Sequence, residues 1–184
     1  MGLHAEDPEP PEVGRKELSM AKRIVNVADV EAVTRGNGDR FEASFKPIGA
    51  AIGSKMLGFN ITVIPPGKRA FPYHAHRGNE EMFFILEGEG SVRIDGETHR
   101  IRMGDFISLP PGRDSAHQIV NDSKAPLRYL AVSTMQSPEV VEYPDSGKYG
   151  LMAGSTGGGR PPGPDTIRHI VRVKDGVDYW EGEG

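Results

Sequence analysis

The chain contains no cysteine, which removes disulfides, thiolate metal sites and cysteine nucleophiles from consideration. Tryptophan is almost as scarce, with one residue in 184. No apolar run approaches the ~20 residues that a membrane-spanning helix needs. Nor is there a basic stripe of the kind that marks nucleic-acid binders, and the net charge is −4. No N-terminal segment has the basic-then-apolar order of a secretory signal, so a cytoplasmic location is the expectation. Hydrophobic residues make up 36%, somewhat low, which places part of the chain outside any core. What is plentiful is glycine (24) and proline (15), a composition that favours many turns over a helical bundle.

A length of 184 residues suits one domain with tails. Residues 1–20 read as a tail, with Glu6, Asp7, Glu9 and Glu12 interleaved with Pro8, Pro10 and Pro11 and little apolar surface to bury. Met20 is the expected functional start. The span 21–153 reads as one β-barrel with an N-terminal extension, including a short helix over 29–34 capped by Asp29. Within it, Leu57, Phe59, Ile61 and Val63 alternate with Gly58, Asn60 and Thr62 until Pro65-Pro66-Gly67 stops the strand. Further strands are expected over 81–86, 91–94, 97–103, 105–109, 117–120 and 127–133. The Asp95-Gly96 pair between two of them is a hairpin signal of the primed-turn type. Short, evenly spaced strands with no helical period between them point to an all-β sandwich or barrel. Residues 154–165 form a Gly/Pro-rich loop. The segment 166–184 is an arm, with a last strand over 167–173 and Tyr179-Trp180 expected to dock the C-terminus on the barrel or on a partner.

One residue separates His74 from His76, and on a strand that spacing turns both imidazoles to one face. Glu81 opens the next strand and His117 a later one, so all four can converge across the barrel. Three neutral nitrogens and one hard oxygen suit one divalent ion of Fe, Mn, Zn, Ni or Co, and leave positions open for chemistry. His99 shares strand parity with Ile101 and Met103 and reads as a core or rim histidine.

These residues also carry a family resemblance. Gly67, then His74-Ala75-His76, then Glu81 with six residues before Gly88, resembles the first motif of the cupins. Gly104, Pro110-Pro111-Gly112, His117 and Asn121 resemble the second. Two spacings depart from the common pattern: six residues separate Gly67 from His74 where five are usual, and four separate Gly112 from His117 where two are usual. Neither removes a ligand, and the spacing to Gly88 selects Glu81 over Glu80. The resemblance implies a double-stranded β-helix, or jelly roll, with the metal near one open end. It also implies a homodimer built from edge strands outside residues 55–134.

A cupin fold hosts many reactions, so the wall of the site must carry the functional argument. Phe83 shares parity with Glu81, and Asn121 with His117, which makes both candidate substrate contacts. Tyr73 and Glu80 are the candidate acid or base. Lys68, Arg69, Arg77 and Arg113 group around the motifs and predict attraction for a small anionic substrate. At finer resolution, Phe71-Pro72-Tyr73-His74, Glu80-Glu81-Met82-Phe83-Phe84 and the segment 142–148 resemble single-domain bacterial cupins described as candidate sugar-phosphate isomerases. In that reading Lys68 or Arg113 holds a phosphate while the metal binds the carbonyl and hydroxyl oxygens. The alternatives are an Fe or Mn dioxygenase or decarboxylase of a small organic acid, and a non-catalytic module that binds or senses a small molecule.

Overall fold

Thirteen short strands organise the described part of the chain, which in this computed structural model comprises residues 23–154, 163 and 165–184. The tail expected over 1–20, Met20 included, and most of the 154–165 loop lie outside the described residues. In order the strands are β1 (Val33–Asn37), β2 (Phe41–Lys46), β3 (Leu57–Ile64), β4 (Ala75–His76), β5 (Glu81–Glu87), β6 (Glu89–Ile94) and β7 (Glu97–Arg102). They continue with β8 (Phe106–Leu109), β9 (His117–Val120), β10 (Leu127–Thr134), β11 (Glu139–Tyr143), β12 (Lys148–Ala153) and β13 (Ile167–Arg172). A single helical turn, α1 (Ile48–Ala51), precedes β3.

One layer is a six-stranded sheet in the order β1-β2-β3-β10-β5-β8. The other consists of β7-β6-β9 and β13-β12-β11-β4. An antiparallel bridge between His74 and His117 joins these two pieces edge to edge. The strand pairs are antiparallel throughout, as short connections demand. The core forms where the layers face each other. Phe83, Ile85, Leu127 and Tyr129 from the first meet Val92, Ile101 and Ile119 from the second. Burying each of the aliphatic side chains contributes about 1.5–3 kcal/mol. Together these features make the expected antiparallel jelly roll. The β6–β7 turn follows its sequence signal, since Asp95 (φ 46°) and Gly96 (φ 84°) both adopt the left-handed conformation of a type I′ turn.

Several expectations are corrected. No helix forms over 29–34. A 3-10 turn at Val27–Asp29 is capped by Asn26, whose side chain accepts from the Ala28 N–H at 2.9 Å. The β-branched Val33 and Thr34 then enter β1 opposite Phe45 and Ser44. His99 is neither core nor rim: it lies on the outer edge strand β7, exposed, 3.9 Å from Glu97. Tyr179 and Trp180 are exposed and pack edge-to-face on each other, centroids 4.8 Å apart, while the C-terminal arm joins the sheet through β13, which pairs with β12. The alternation in β3 leaves its inward face unassigned, and the structure turns the less apolar one inward. Gly58, Thr62 and Ile64 are buried, while Ile61 and Val63 share an outer cavity wall with Val27, Ala28 and Ala32. No helix among the described residues is long and apolar enough to cross a membrane.

Candidate metal centre

The backbone brings the ligand types together before any side chain is considered. The His74 N–H donates to the His117 carbonyl at 3.1 Å, and the His117 N–H returns a bond to the His74 carbonyl at 2.7 Å. Two residues on, β4 pairs with β11, placing Ala75 opposite Glu142 and His76 opposite Val141. Glu81 arrives from the other layer, opposite Ser133 and Leu109. The three histidines therefore belong to the seam of one sheet and the carboxylate to the sheet facing it.

Ligand atoms of His74, His76 and Glu81 lie within 4.8 Å of one another. His117 joins them, with its Nε2 3.2 Å from Glu81 Oε2, and His76 Nε2 is 3.5 Å from the same oxygen. Carbonyl oxygens can only accept, so the neighbours of the ring nitrogens define the tautomers. His74 Nδ1 donates to the Pro72 carbonyl at 2.8 Å and His117 Nδ1 to the Ser115 carbonyl at 2.9 Å. Both Nε2 lone pairs are thereby left for a ligand. Burial and the positive charge of His117 and His76 lower the His74 pKa to about 3, so its ring is neutral at physiological pH. Burial works against the Glu81 carboxylate, but His117, His76 and His74 outweigh it and lower its pKa to about 2. A neutral His74 beside an ionised Glu81 is the protonation state a divalent metal requires of those two groups.

Whether the residues fit such an ion is tested by the polar atoms they leave over. His117 Nε2 is buried and has no hydrogen-bond partner among the described residues. Orphaned buried polar atoms are rare and call for an explanation. A metal coordinated by that nitrogen supplies one, and the N₃O donor set suits first-row divalent ions. Phe83 packs edge-on against His117 at a centroid distance of 5.4 Å and tilted against Tyr129 at 5.2 Å, giving the site an apolar wall. A cavity of about 80 Å³ opens beside His76 and Glu81, lined also by Gly58, Asn60, Asn79, Ala131, Ser133 and Met135.

The remaining expected site residues are not brought to this point. The Tyr73 hydroxyl accepts from the Gly96 N–H at 3.0 Å and its ring lies under the Arg93 guanidinium at 3.8 Å. It faces away from His74 because adjacent strand residues point to opposite sides. Glu80 is exposed, for the same reason of parity with Glu81. Asn121 is fully buried, but its amide donates to the Ile64 and Ala125 carbonyls and accepts from Ser123, so it closes a turn. Lys68 donates to the Asp39 carbonyl at 2.8 Å. Arg77 and Arg113 both close on Glu142, at 2.5 and 3.3 Å. One carboxylate thus faces two guanidiniums, so Glu142 offsets part of the positive charge expected here.

Sequence reasoning missed three contributors. Glu139, Glu142 and Tyr143 all lie on β11. Tyr143 stacks toward His74 with ring centroids 6.2 Å apart, and burial raises its pKa, so the phenol keeps its proton. A signal existed in the residues 139–142, where two acidic residues flank two valines inside an otherwise strand-like run.

Comparison with known proteins agrees with this architecture. Residues 60–133 match the Cupin domain family. Protein SchB of Streptomyces halstedii is 30% identical over 108 residues, which is 59% of this chain and 74% of SchB. An uncharacterised protein of Methanocaldococcus jannaschii is 35% identical over 71 residues, 39% of this chain and 54% of that protein. The chain thus spans about half the length of the archaeal relative. Among solved structures, a candidate sugar phosphate isomerase of Acidithiobacillus ferrooxidans superposes with a TM-score of 0.71 at 23% identity, over 85% of this chain and 96% of that one.

Proposed function

This chain belongs to the cupin superfamily, and from that premise we propose that it is an enzyme holding one divalent ion on His74, His76, Glu81 and His117. The observation that carries the reading is the buried, unpartnered Nε2 of His117 beside the Glu81 carboxylate. Bound there, Fe, Mn, Zn, Ni or Co would supply Lewis acidity at open coordination positions.

The substrate class proposed is a small hydroxy-carbonyl compound of the sugar-phosphate type, isomerised between its aldose and ketose forms. The cavity of about 80 Å³ beside His76 and Glu81 is smaller than the ~150 Å³ that accommodates benzene. It takes the reacting end of such a molecule and leaves the rest outside. Asn60, Asn79 and Ser133 on its walls offer hydrogen-bonding groups to hydroxyl and carbonyl oxygens. The anionic end is assigned to the Tyr143 side of the site, in place of Lys68 and Arg113. There Lys148 Nζ lies 5.5 Å from the Tyr143 ring, and the charge of Arg168 is felt by the same phenol. Tyr143, protonated, takes over the proton-donor role expected of Tyr73. A homodimer belongs to the same reading, supported by exposed Ile167, Ile170 and Val171 on the edge strand β13, and is checked by sedimentation.

The deciding experiment combines metal analysis of protein purified without chelator with anaerobic turnover of aldose and ketose phosphates. About one equivalent of metal, lost in His117→Ala, with interconversion in the absence of oxygen, is the expected result. Oxygen consumption with a small organic acid would replace the isomerase by an oxygenase. Tight binding without turnover would leave a sensing module.

A further inference from the structure

His76 Nδ1 is buried and makes no hydrogen bond among the described residues. The group it faces is Glu139 Oε2, 3.6 Å away, a charge contact longer than a hydrogen bond. The Glu139 side chain is 1% exposed, and a carboxylate is not buried so deeply without donors to hold it. Its Oε1 accepts from the backbone N–H groups of Arg77 and Gly78, both at 3.1 Å. Its Oε2 accepts from the Asn79 side-chain amide. Asn79 is itself immobilised: it donates to the Gln136 carbonyl at 3.2 Å and accepts from Thr134 Oγ1 at 2.9 Å and from the Gln136 N–H at 2.7 Å. The carboxylate therefore cannot turn away, and the one ring atom it faces is His76 Nδ1. Glu139 stands on β11, beyond the segment 60–133 that matches the cupin domain.

We propose that Glu139 is a positioning residue for the metal centre: it holds the proton of His76 on Nδ1, turns Nε2 toward the ion, and so makes the β11 strand part of the site. His74 and His117 obtain the same service from the carbonyls of Pro72 and Ser115. His76 alone obtains it from a charged group, which also makes the imidazole a stronger donor. The proposal rests on the metal reading above. Loss of such a partner costs about 10- to 100-fold in metal affinity.

The test uses the full chain. Dissociation constants for Zn(II) and Co(II) are measured by competition with a chromophoric chelator, together with the visible absorption of the Co(II) form. The variants are Glu139→Gln, His76→Ala and the double variant. Glu139→Gln is expected to weaken binding at least tenfold and to change the Co(II) spectrum. In the His76→Ala background the same substitution should change affinity less than threefold, because its effect runs through His76. A role confined to bracing the Arg77–Asn79 loop predicts equal losses in both backgrounds and overturns the proposal. If Glu139→Gln fails to fold, Glu139→Asp decides: it keeps charge for the backbone donors but withdraws it from His76, and affinity within threefold of wild type refutes the role. Wild-type protein that binds neither ion overturns the metal reading and this inference with it. Wild-type binding that Glu139→Gln leaves unchanged overturns this inference alone.

Discussion

The ion pairs around Glu142 are asymmetric, and the asymmetry makes a measurable prediction. The Glu142 side chain is 7% exposed, whereas those of Arg77 and Arg113 are 42% and 67% exposed. Removing the carboxylate with Glu142→Gln leaves two arginines that water can solvate. The loss is then that of one short charge-assisted bond at 2.5 Å and one rim contact at 3.3 Å, about 1–3 kcal/mol together. Removing the arginines instead, with Arg77→Met and Arg113→Met, strands a carboxylate that water barely reaches. An uncompensated buried charge costs about 3–5 kcal/mol, and the small residual exposure puts this case at the lower end. The double arginine variant should therefore be less stable than Glu142→Gln, although more atoms of the pair survive in it. The triple variant should recover stability toward that of Glu142→Gln. Urea unfolding at neutral pH measures all three, with the slope checked so that only the midpoint is compared. A double variant as stable as wild type, or more stable than Glu142→Gln, would refute the view that burial of the carboxylate governs this cluster. Because β4 carries His76 and the Arg113 turn leads into His117, the loosened variant should also hold metal less tightly.

Three further outcomes follow from the same structure. Phe83→Ala removes a ring wedged between His117 and Tyr129 and should cost about 3–5 kcal/mol in urea unfolding; a loss under 1 kcal/mol would mean the wall collapses freely. Gly88→Ala places a Cβ at φ +83°, against the Pro126 carbonyl, costing about 1–3 kcal/mol for the backbone alone, and an unchanged melting temperature would contradict the turn. For the metal-free protein, His74 is held down to about 3 from 6.5 and Glu81 to about 2 from 4.5. The unfolded chain binds more protons than the folded one in those windows, so stability falls as pH drops through them. His76 is raised, burial opposing and the Glu139 and Glu81 carboxylates prevailing, so its contribution is complete below 6.5 and does not offset the acid loss. Unfolding in the presence of chelator should show lower stability at pH 4.5 than at 6.5; equal values would disprove the assignment.

The fold was legible wherever local chemistry and global packing agree. The Asp95-Gly96 hairpin needed only its turn residues, and β5 announced its buried face through Phe83 and Ile85, which sit in the core at 5% and 0% exposure. His74, His76, Glu81 and His117 were legible as a set because His76, Glu81 and His117 stand at strand ends and His74 two residues before His76 shares its side. Where two interpretations competed, parity alone was insufficient. In β3 the apolar set Leu57, Phe59, Ile61 and Val63 is the outer one, since the N-terminal segment gives Ile61 and Val63 a second apolar surface to cover. The inner set includes Gly58 and Asn60, and both line the cavity beside Glu81. A hydrophobic pattern reports that a face is covered, not which layer covers it.

Charge was the harder quantity to read, for a related reason. Lys68, Arg77 and Arg113 lie near the ligands in sequence, yet a cation's effect depends on what neutralises it. For Arg77 and Arg113 that partner is Glu142, about thirty residues or more away along the chain. Such a pairing has no periodicity and appears only once β11 docks against β4. The same docking event delivers Glu139 to His76 and Tyr143 to His74. One strand outside the motif-bearing segment thus offsets part of the charge on one side of the site, sets a carboxylate against His76 and adds a phenol at its edge. Substitutions in β11 should accordingly alter metal retention and substrate selection together, whereas those in the β6–β7 hairpin, which carries none of the four ligands, should alter stability alone.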